Sequence, residues 1–168
     1  MTISKLILNQ KEIDKIVKNS VRGTSKIVYG SKAMNKQLLP MLNRPSPDWD
    51  VFSNTPKKDA KKLDKKLDKK FGGNYFYVKP AIHYGTWKVV HKGLDLKNPK
   101  DDIGIVDFSK GKTPFTTIEK IRYEKLAIIV KEKKERLKDK EKKFRHEKDS
   151  NDLKRIKLNM ALKKAGVN

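Results

Sequence analysis

Cysteine is absent from this chain of 168 residues, which excludes a disulfide framework and any thiolate metal site. Histidine is scarce: His83, His91 and His146 stand at no metal-ligand spacing and read as strand or surface residues rather than as ligands or a general base. No apolar run approaches the roughly 18 residues that cross a bilayer, and the N-terminal segment lacks a secretory apolar stretch. The expectation is a cytoplasmic protein with no membrane partner. No nucleophile elbow, Ser-His-Asp order or GxxxxGK-type phosphate loop occurs. Acid is also in short supply, with 20 Asp+Glu against 42 Lys+Arg, so the placement of the few acids carries much of the chemical information.

The imbalance gives a formal charge of +22, and a field of that sign attracts polyanions before any contact forms. Nucleic acid or nucleotide is the leading partner class. Lysine supplies 36 of the 42 basic residues, a bias that coding composition and solubility also produce on their own. The length, with 36% apolar residues, fits a single domain over 1–168 with a modest core at about 22–130 and a basic helical tail at about 131–168.

Ile13, Ile16 and Val17 recur at helical spacing within a first helix from about Ile3 to Val21. Ser25–Tyr29 is a short β-branched strand running into Gly30-Ser31 and a helical stretch that Pro40 interrupts. Asp48–Ser53 is a second strand. Thr55-Pro56 opens a helix with Ala60, Leu63, Leu67 and Phe71 on one stripe, closed by Gly72-Gly73; its Lys-Lys-Leu-Asp repeat needs no role beyond solvating the outer face. Asn74–Pro80, Gly85–Lys92 and Ile103–Ser109 are three more strands. Their residues Tyr75, Phe76, Tyr77, Tyr84 and Trp87 interleave with Lys79 and Lys88, as core and cross-strand pairs or as a stacking surface for bases. Thr116 and Glu119 form a capping box for a helix bearing Ile118, Ile121, Leu126, Ile128 and Ile129. From Lys131 to Lys148 only Leu137 and Phe144 are strongly apolar, which reads as an exposed helical extension or a poorly ordered stretch, and a last helix starts near Asp149.

The chemistry concentrates in three aspartates and one turn. Alternation along a strand sets Asp48 and Asp50 on one face with Trp49 on the other, and Asp107 lies in a later strand of similar character. Three carboxylates brought together repel unless a cation joins them, and hard oxygen ligands suit Mg2+ or Mn2+. Gly30-Ser31, between a strand and a helix, offers close backbone approach, N–H groups and a hydroxyl to anionic oxygens.

Gly30-Ser31, then Asp48-Trp49-Asp50, then Asp107 resembles the motif order of the DNA polymerase beta-type nucleotidyltransferase superfamily. Tyr123-Glu124-Lys125-Leu126-Ala127, Arg145 and Lys148-Asp149-x-x-Asp152-Leu153 look like elements of its small members related to toxin–antitoxin enzymes. The resemblance implies an α+β fold: a mixed sheet of about four to five strands flanked by helices, with a basic helical C-terminal extension. It implies metal-dependent transfer of a nucleoside monophosphate from a nucleoside triphosphate to an acceptor hydroxyl, with Asp48, Asp50 and Asp107 as catalytic metal ligands for two Mg2+ or Mn2+ ions. Gly30, Ser31, Lys32 and Lys125 would bind the nucleotide. Lys125 is expected buried or half-buried near Asp149, in phosphate binding or in a structural ion pair. Two departures stand out: Lys32-Ala33-Met34 lacks the arginine that often follows Gly-Ser, and the stretch from Ser31 to Asp48 is long. Too few residues follow Ser109 for thumb or fingers domains, so the transfer is expected to be untemplated, onto a nucleic acid (RNA, tRNA or DNA) or onto a protein. The alternative is a basic nucleic-acid-binding or packaging protein on an inactive scaffold of this kind.

Overall fold

Segments rich in Val, Ile and aromatic residues become strands of one sheet, and lysine-rich segments with apolar residues every three to four positions become helices. A computed structural model describes residues 9–93 and 99–168; the part of the expected first helix before Asn9 lies outside the described residues. The elements are α1 (Gln10–Val21), β1 (Ile27–Tyr29), α2 (Gly30–Gln37), β2 (Trp49–Phe52), α3 (Pro56–Phe71), β3 (Phe76–Pro80), β4 (Trp87–His91), β5 (Ile103–Ser109), β6 (Phe115–Ile118), β7 (Ile121–Glu124), α4 (Leu126–Lys138) and α5 (His146–Lys164). Single 3-10 segments lie at Pro40–Leu42, Pro99–Asp101 and Lys140–Arg145.

The strands form a mixed seven-stranded sheet in the order β3-β4-β5-β2-β1-β7-β6. β2 runs parallel to β5 and β1 parallel to β7, and the other neighbours are antiparallel. Val28, Val51, Val106 and Phe108 point to one face and meet Ile13 and Val17 of α1 and Ala60, Leu63 and Leu67 of α3 in a single core. Each of these larger side chains, fully buried, contributes about 1.5–3 kcal/mol. α3 starts with Pro56 at its first position, where the missing N–H costs nothing, and stops at Gly72, which takes the left-handed conformation at φ 68°. Among the described residues, no helix is long and apolar enough to cross a membrane.

One expectation is corrected. The sheet has seven strands instead of four to five, because Phe115–Ile118 and Ile121–Glu124 form a hairpin where a helix was expected from Thr116. Its two-residue turn, Glu119-Lys120, is left-handed at both positions (φ 52° and 64°), a conformation matching strand twist but normally signalled by Asn or Gly. Tertiary contacts hold it: Lys36 and Lys18 pair with Glu119, and Gly23 N donates to Lys120 O at 2.7 Å. Of the two expectations for residues 131–148, the exposed helical one describes the structure: the stretch is helical and largely exposed. It completes α4, turns through Lys140–Arg145 and begins α5, which packs back on α4.

Candidate active site

The face of the sheet opposite the α1/α3 core carries the acids. In register across four strands stand Lys88 of β4, Asp107 of β5, Asp50 of β2 and Tyr29 of β1. Asp50 and Asp107 are thus directly opposite on neighbouring parallel strands, about 4.8 Å apart in the hydrogen-bonding direction. Both are half-buried, whereas Asp48 is exposed in a bend just before β2. Trp49 turns the other way, buried, and its Nε1 donates to Asp14 at 2.7 Å. Burial, then the charges of Asp48 and Asp107, push the Asp50 carboxyl up to about 6, with Lys148 and Lys88 acting in the opposite sense. Lys88 Nζ stands 2.9 Å from Asp107 Oδ2. Among the described residues no three acidic or histidine side chains converge at ion-holding distance in this arrangement.

Gly30 fits where no other residue does. Its φ is 68°, and a Cβ there would lie 2.6 Å from Asp50 Oδ2. The turn therefore lies directly against the carboxylate and starts α2, whose N-terminal amides carry positive partial charge. Thr113 Oγ1 donates to the buried Glu124 at 2.9 Å, and the Gly30 amide also acts on that carboxylate. Beside it Tyr29 stacks on Phe52 with ring centroids 4.0 Å apart, and its hydroxyl is 3.0 Å from Ser109 Oγ. Burial, opposed by the Ser109 hydrogen bond and aided by Asp50 and Asp107, raises the Tyr29 phenol to about 12.

Ser31 leads to a second cluster. Arg44, from the Pro-rich loop before β2, donates Nη2 to Ser31 Oγ at 2.5 Å and grips Asp152 through Nε at 3.0 Å and Nη2 at 3.3 Å. Lys133 bridges Asp149 and Asp152 at 2.8 Å each, Arg136 Nε donates to Asp149 at 2.9 Å, and Arg155 also pairs with Asp152. Both aspartates are buried. Burial alone would raise the Asp152 carboxyl, but hydrogen bonds from Arg44 and Lys133 bring it down to about 2. Lys148 projects toward this side; lost hydration, then Arg44 and Arg145, push its ammonium below the usual lysine range. α5 thereby brings positive charge close to both Ser31 and Asp50.

The sequence reading placed Lys125 here, and the structure corrects it. Lys125 is the exposed residue preceding α4, and Lys133 takes the place beside Asp149. Ile121 and Ile128 belong to a strand and a helix respectively, so their spacing does not put Lys125 on a common stripe. Lys32 pairs with Asp14 at 3.3 Å and lies 4.9 Å from the Trp49 ring centroid, away from the Gly30 turn. Arg44, Glu124, Lys133 and Arg136 were missed. One signal existed: arginine is rare, six residues, and Arg44, Arg136 and Arg155 all sit in this network, where a bidentate fork is needed and lysine serves less well.

The aromatic segment is part core and part surface. Phe76 is buried against Phe71 and His91, whereas Tyr84 is fully exposed. His91 is a buried strand residue, His83 lies in a loop, and His146 Nε2 faces the carbonyls of Arg136 and Asp139.

No known family profile matches this sequence, and no curated protein matches it. Among solved structures, the Megavirus polyadenylate synthase superposes on 92% of this chain with a TM-score of 0.70 at 18% identity. The chain spans 32% of that protein's length. JHP933 from Helicobacter pylori matches 75% of this chain and 55% of its own, with a TM-score of 0.49 and 16% identity. The α+β architecture, with its mixed seven-stranded sheet, is a nucleotidyltransferase-like fold.

Proposed function

We infer that the protein transfers a nucleoside monophosphate from a nucleoside triphosphate to an acceptor hydroxyl, with a nucleic-acid 3′ end as the acceptor. One observation carries this reading: Asp50 and Asp107 are opposed on adjacent parallel strands, with a glycine turn that no side chain can enter pressed against Asp50. A solved structure of similar fold is that of a polyadenylate synthase, which agrees with this chemistry. The donor set fits Mg2+ or Mn2+, because Asp48, Asp50 and Asp107 offer only hard carboxylate oxygens and the charge pressed on Asp50 is the kind a cation relieves. Two such ions, when bound, supply charge neutralisation at the phosphate and activation of the attacking hydroxyl.

The chain's own residues do the rest. The amides at the start of α2 and the Ser31 hydroxyl donate to the β- and γ-phosphate oxygens, and Arg44 and Lys148 add positive charge beside them. Asp152 and Lys133 hold Arg44 in place, so its guanidinium is set before substrate arrives. Lys32, paired with Asp14, and Lys125, exposed before α4, stand outside the ion-pair network around Arg44. Catalysis of this kind is positioning and charge stabilisation, with no covalent intermediate on the protein. Replacing Asp48 and Asp50 with Asn is expected to abolish incorporation of α-labelled nucleotide into RNA with the thermal unfolding transition retained; undiminished incorporation overturns the reading.

A second reading is favoured by the Lys88–Asp107 ion pair, which neutralises one of the three acids without a cation. It makes the protein a nucleic-acid-binding one that leaves its carboxylates unused. It requires that wild-type protein incorporate nothing with any of the four nucleotides in Mg2+ or Mn2+, and that Asp48→Asn/Asp50→Asn bind nucleic acid unchanged.

A further inference from the structure

A cationic groove lies at the end of the sheet between the start of α3 and the loop joining β3 to β4. It encloses about 730 Å³, and Lys57, Lys58 and Lys110 are among its lining residues, with Tyr84 and Trp87; no acid lines it. The one acid in the first turn of α3, Asp59, turns away to partners inside the fold, and Asp64 and Asp68 lie further along the helix. Asp59 accepts from Ser53 Oγ at 2.5 Å and pairs with Lys26, and Asp68 accepts the backbone N–H groups of Tyr75 and Phe76 at 2.9 and 3.1 Å. With those acids turned to fold-internal partners, Lys57, Lys58, Lys61 and Lys62 form no ion pair among the described residues. Lys57 is pinned at the mouth of the groove, its Nζ 4.5 Å from the Trp87 ring centroid. Tyr84 and Ile82 also line the groove and are fully exposed, so a large flat ring stands in solvent beside the unpaired lysines.

We propose that this groove binds single-stranded nucleic acid, with backbone phosphates on Lys57, Lys58 and Lys110 and a base stacked on Tyr84. An unpaired lysine wall with an exposed ring fits a chain whose charges and unstacked bases alternate, and fits a duplex poorly, since its bases are closed to stacking. None of the three aspartates lines the groove, but one hydrogen-bonded chain connects its wall to the neighbourhood of the candidate active site. Thr86, in its wall, has its hydroxyl 3.0 Å from Ser109 Oγ, which stands 3.0 Å from the Tyr29 hydroxyl. Ser109 lies two residues along β5 from Asp107, about 7 Å. The inference rests on the transfer reading only in making the bound strand the acceptor.

The test is fluorescence anisotropy of the full chain with fluorescein-labelled oligouridylate and oligothymidylate, which separates RNA from DNA as the source of the same chemistry. Lys57→Ala/Lys58→Ala/Lys110→Ala is expected to weaken binding at least tenfold and to lower the slope of log affinity against log salt by about two. Tyr84→Ala is expected to cost about tenfold with the salt slope unchanged. Lys131→Ala/Lys134→Ala/Lys138→Ala, on exposed positions of α4, removes the same charge and serves as the control. Groove variants that bind as well as that control overturn the proposal, as does binding to phosphatidylserine vesicles with none to either oligonucleotide. If wild type incorporates no nucleotide while groove variants lose oligonucleotide affinity, the transfer reading falls and this site stands. If transfer occurs and groove variants bind and transfer like the control, the site falls and the transfer reading stands.

Discussion

Gly30 illustrates how far a single residue constrains the candidate site. Its left-handed φ disfavours any side chain, and its contact with Asp50 excludes one sterically, so Gly30→Ala meets two penalties at once. The expected cost is about 1–3 kcal/mol in urea unfolding, with loss of nucleotide incorporation beyond what the destabilisation explains. Asp50 shows the opposite pattern. It sits half-buried beside Asp48 and Asp107, so Asp50→Asn removes repulsion and is expected to leave the melting temperature unchanged or raised in the absence of divalent ions. A residue whose removal stabilises the fold is retained for chemistry rather than for structure. A marked fall in melting temperature on this substitution would refute that assignment. Both residues were legible in the sequence, because strand alternation and a Gly between strand and helix are local properties.

The α4–α5 pair was less legible, for reasons that lie in its elements. Its interface is held by Lys133 between Asp149 and Asp152, and a buried lysine flanked by charged neighbours looks, in a linear reading, like one more solvated residue. Lys133→Ala leaves two buried carboxylates short of a partner and is expected to cost about 3–5 kcal/mol, read by chemical denaturation. The network also sets an acid limit. The Asp152 carboxyl titrates near 2 in the folded state against 3.8 unfolded, so its contribution is complete above about pH 4 and is lost as pH falls toward 2. By linkage this amounts to about 2 kcal/mol. In Asp152→Asn the stability difference from wild type is expected to be largest at pH 7 and to narrow between pH 4 and pH 2. A difference that stays constant over that range would show that the ion pairs contribute nothing. The β6–β7 hairpin was misread for a related reason: Ile118, Ile121 and Leu126 fall at helical intervals although they lie in three different elements, and the Glu119-Lys120 turn carries none of the usual residues.

At the scale of the whole molecule, binding and stability are linked, because a ligand that occupies only the folded site raises the unfolding temperature. Mn2+ at about 100 times its dissociation constant is expected to add about 2.7 kcal/mol to wild type and nothing to Asp48→Asn/Asp50→Asn. Equal shifts in both proteins would place the ion elsewhere. The net charge of +22 acts at the same scale, as a long-range field that predisposes the protein to polyanions without choosing where they dock. Unpaired lysines stand on both α3 and α4 among the described residues, so where polyanions dock is a matter of what stands beside those lysines, and in the α3 groove that is Tyr84. The amino-acid sequence by itself determined the charge, the amphipathic stripe of α3, five of the seven strands and the presence of Gly30, Asp50 and Asp107 on apolar segments, since each follows from composition or from a period of a few residues. Only the tertiary structure decided that Asp107 would lie opposite Asp50, that Arg44 and Lys133 would join Ser31 to α5, and that Glu119-Lys120 would turn a hairpin. Those outcomes depend on contacts between residues tens of positions apart, and burial sets their energies: a charge is cheap on the surface and costly inside until the fold brings it a partner.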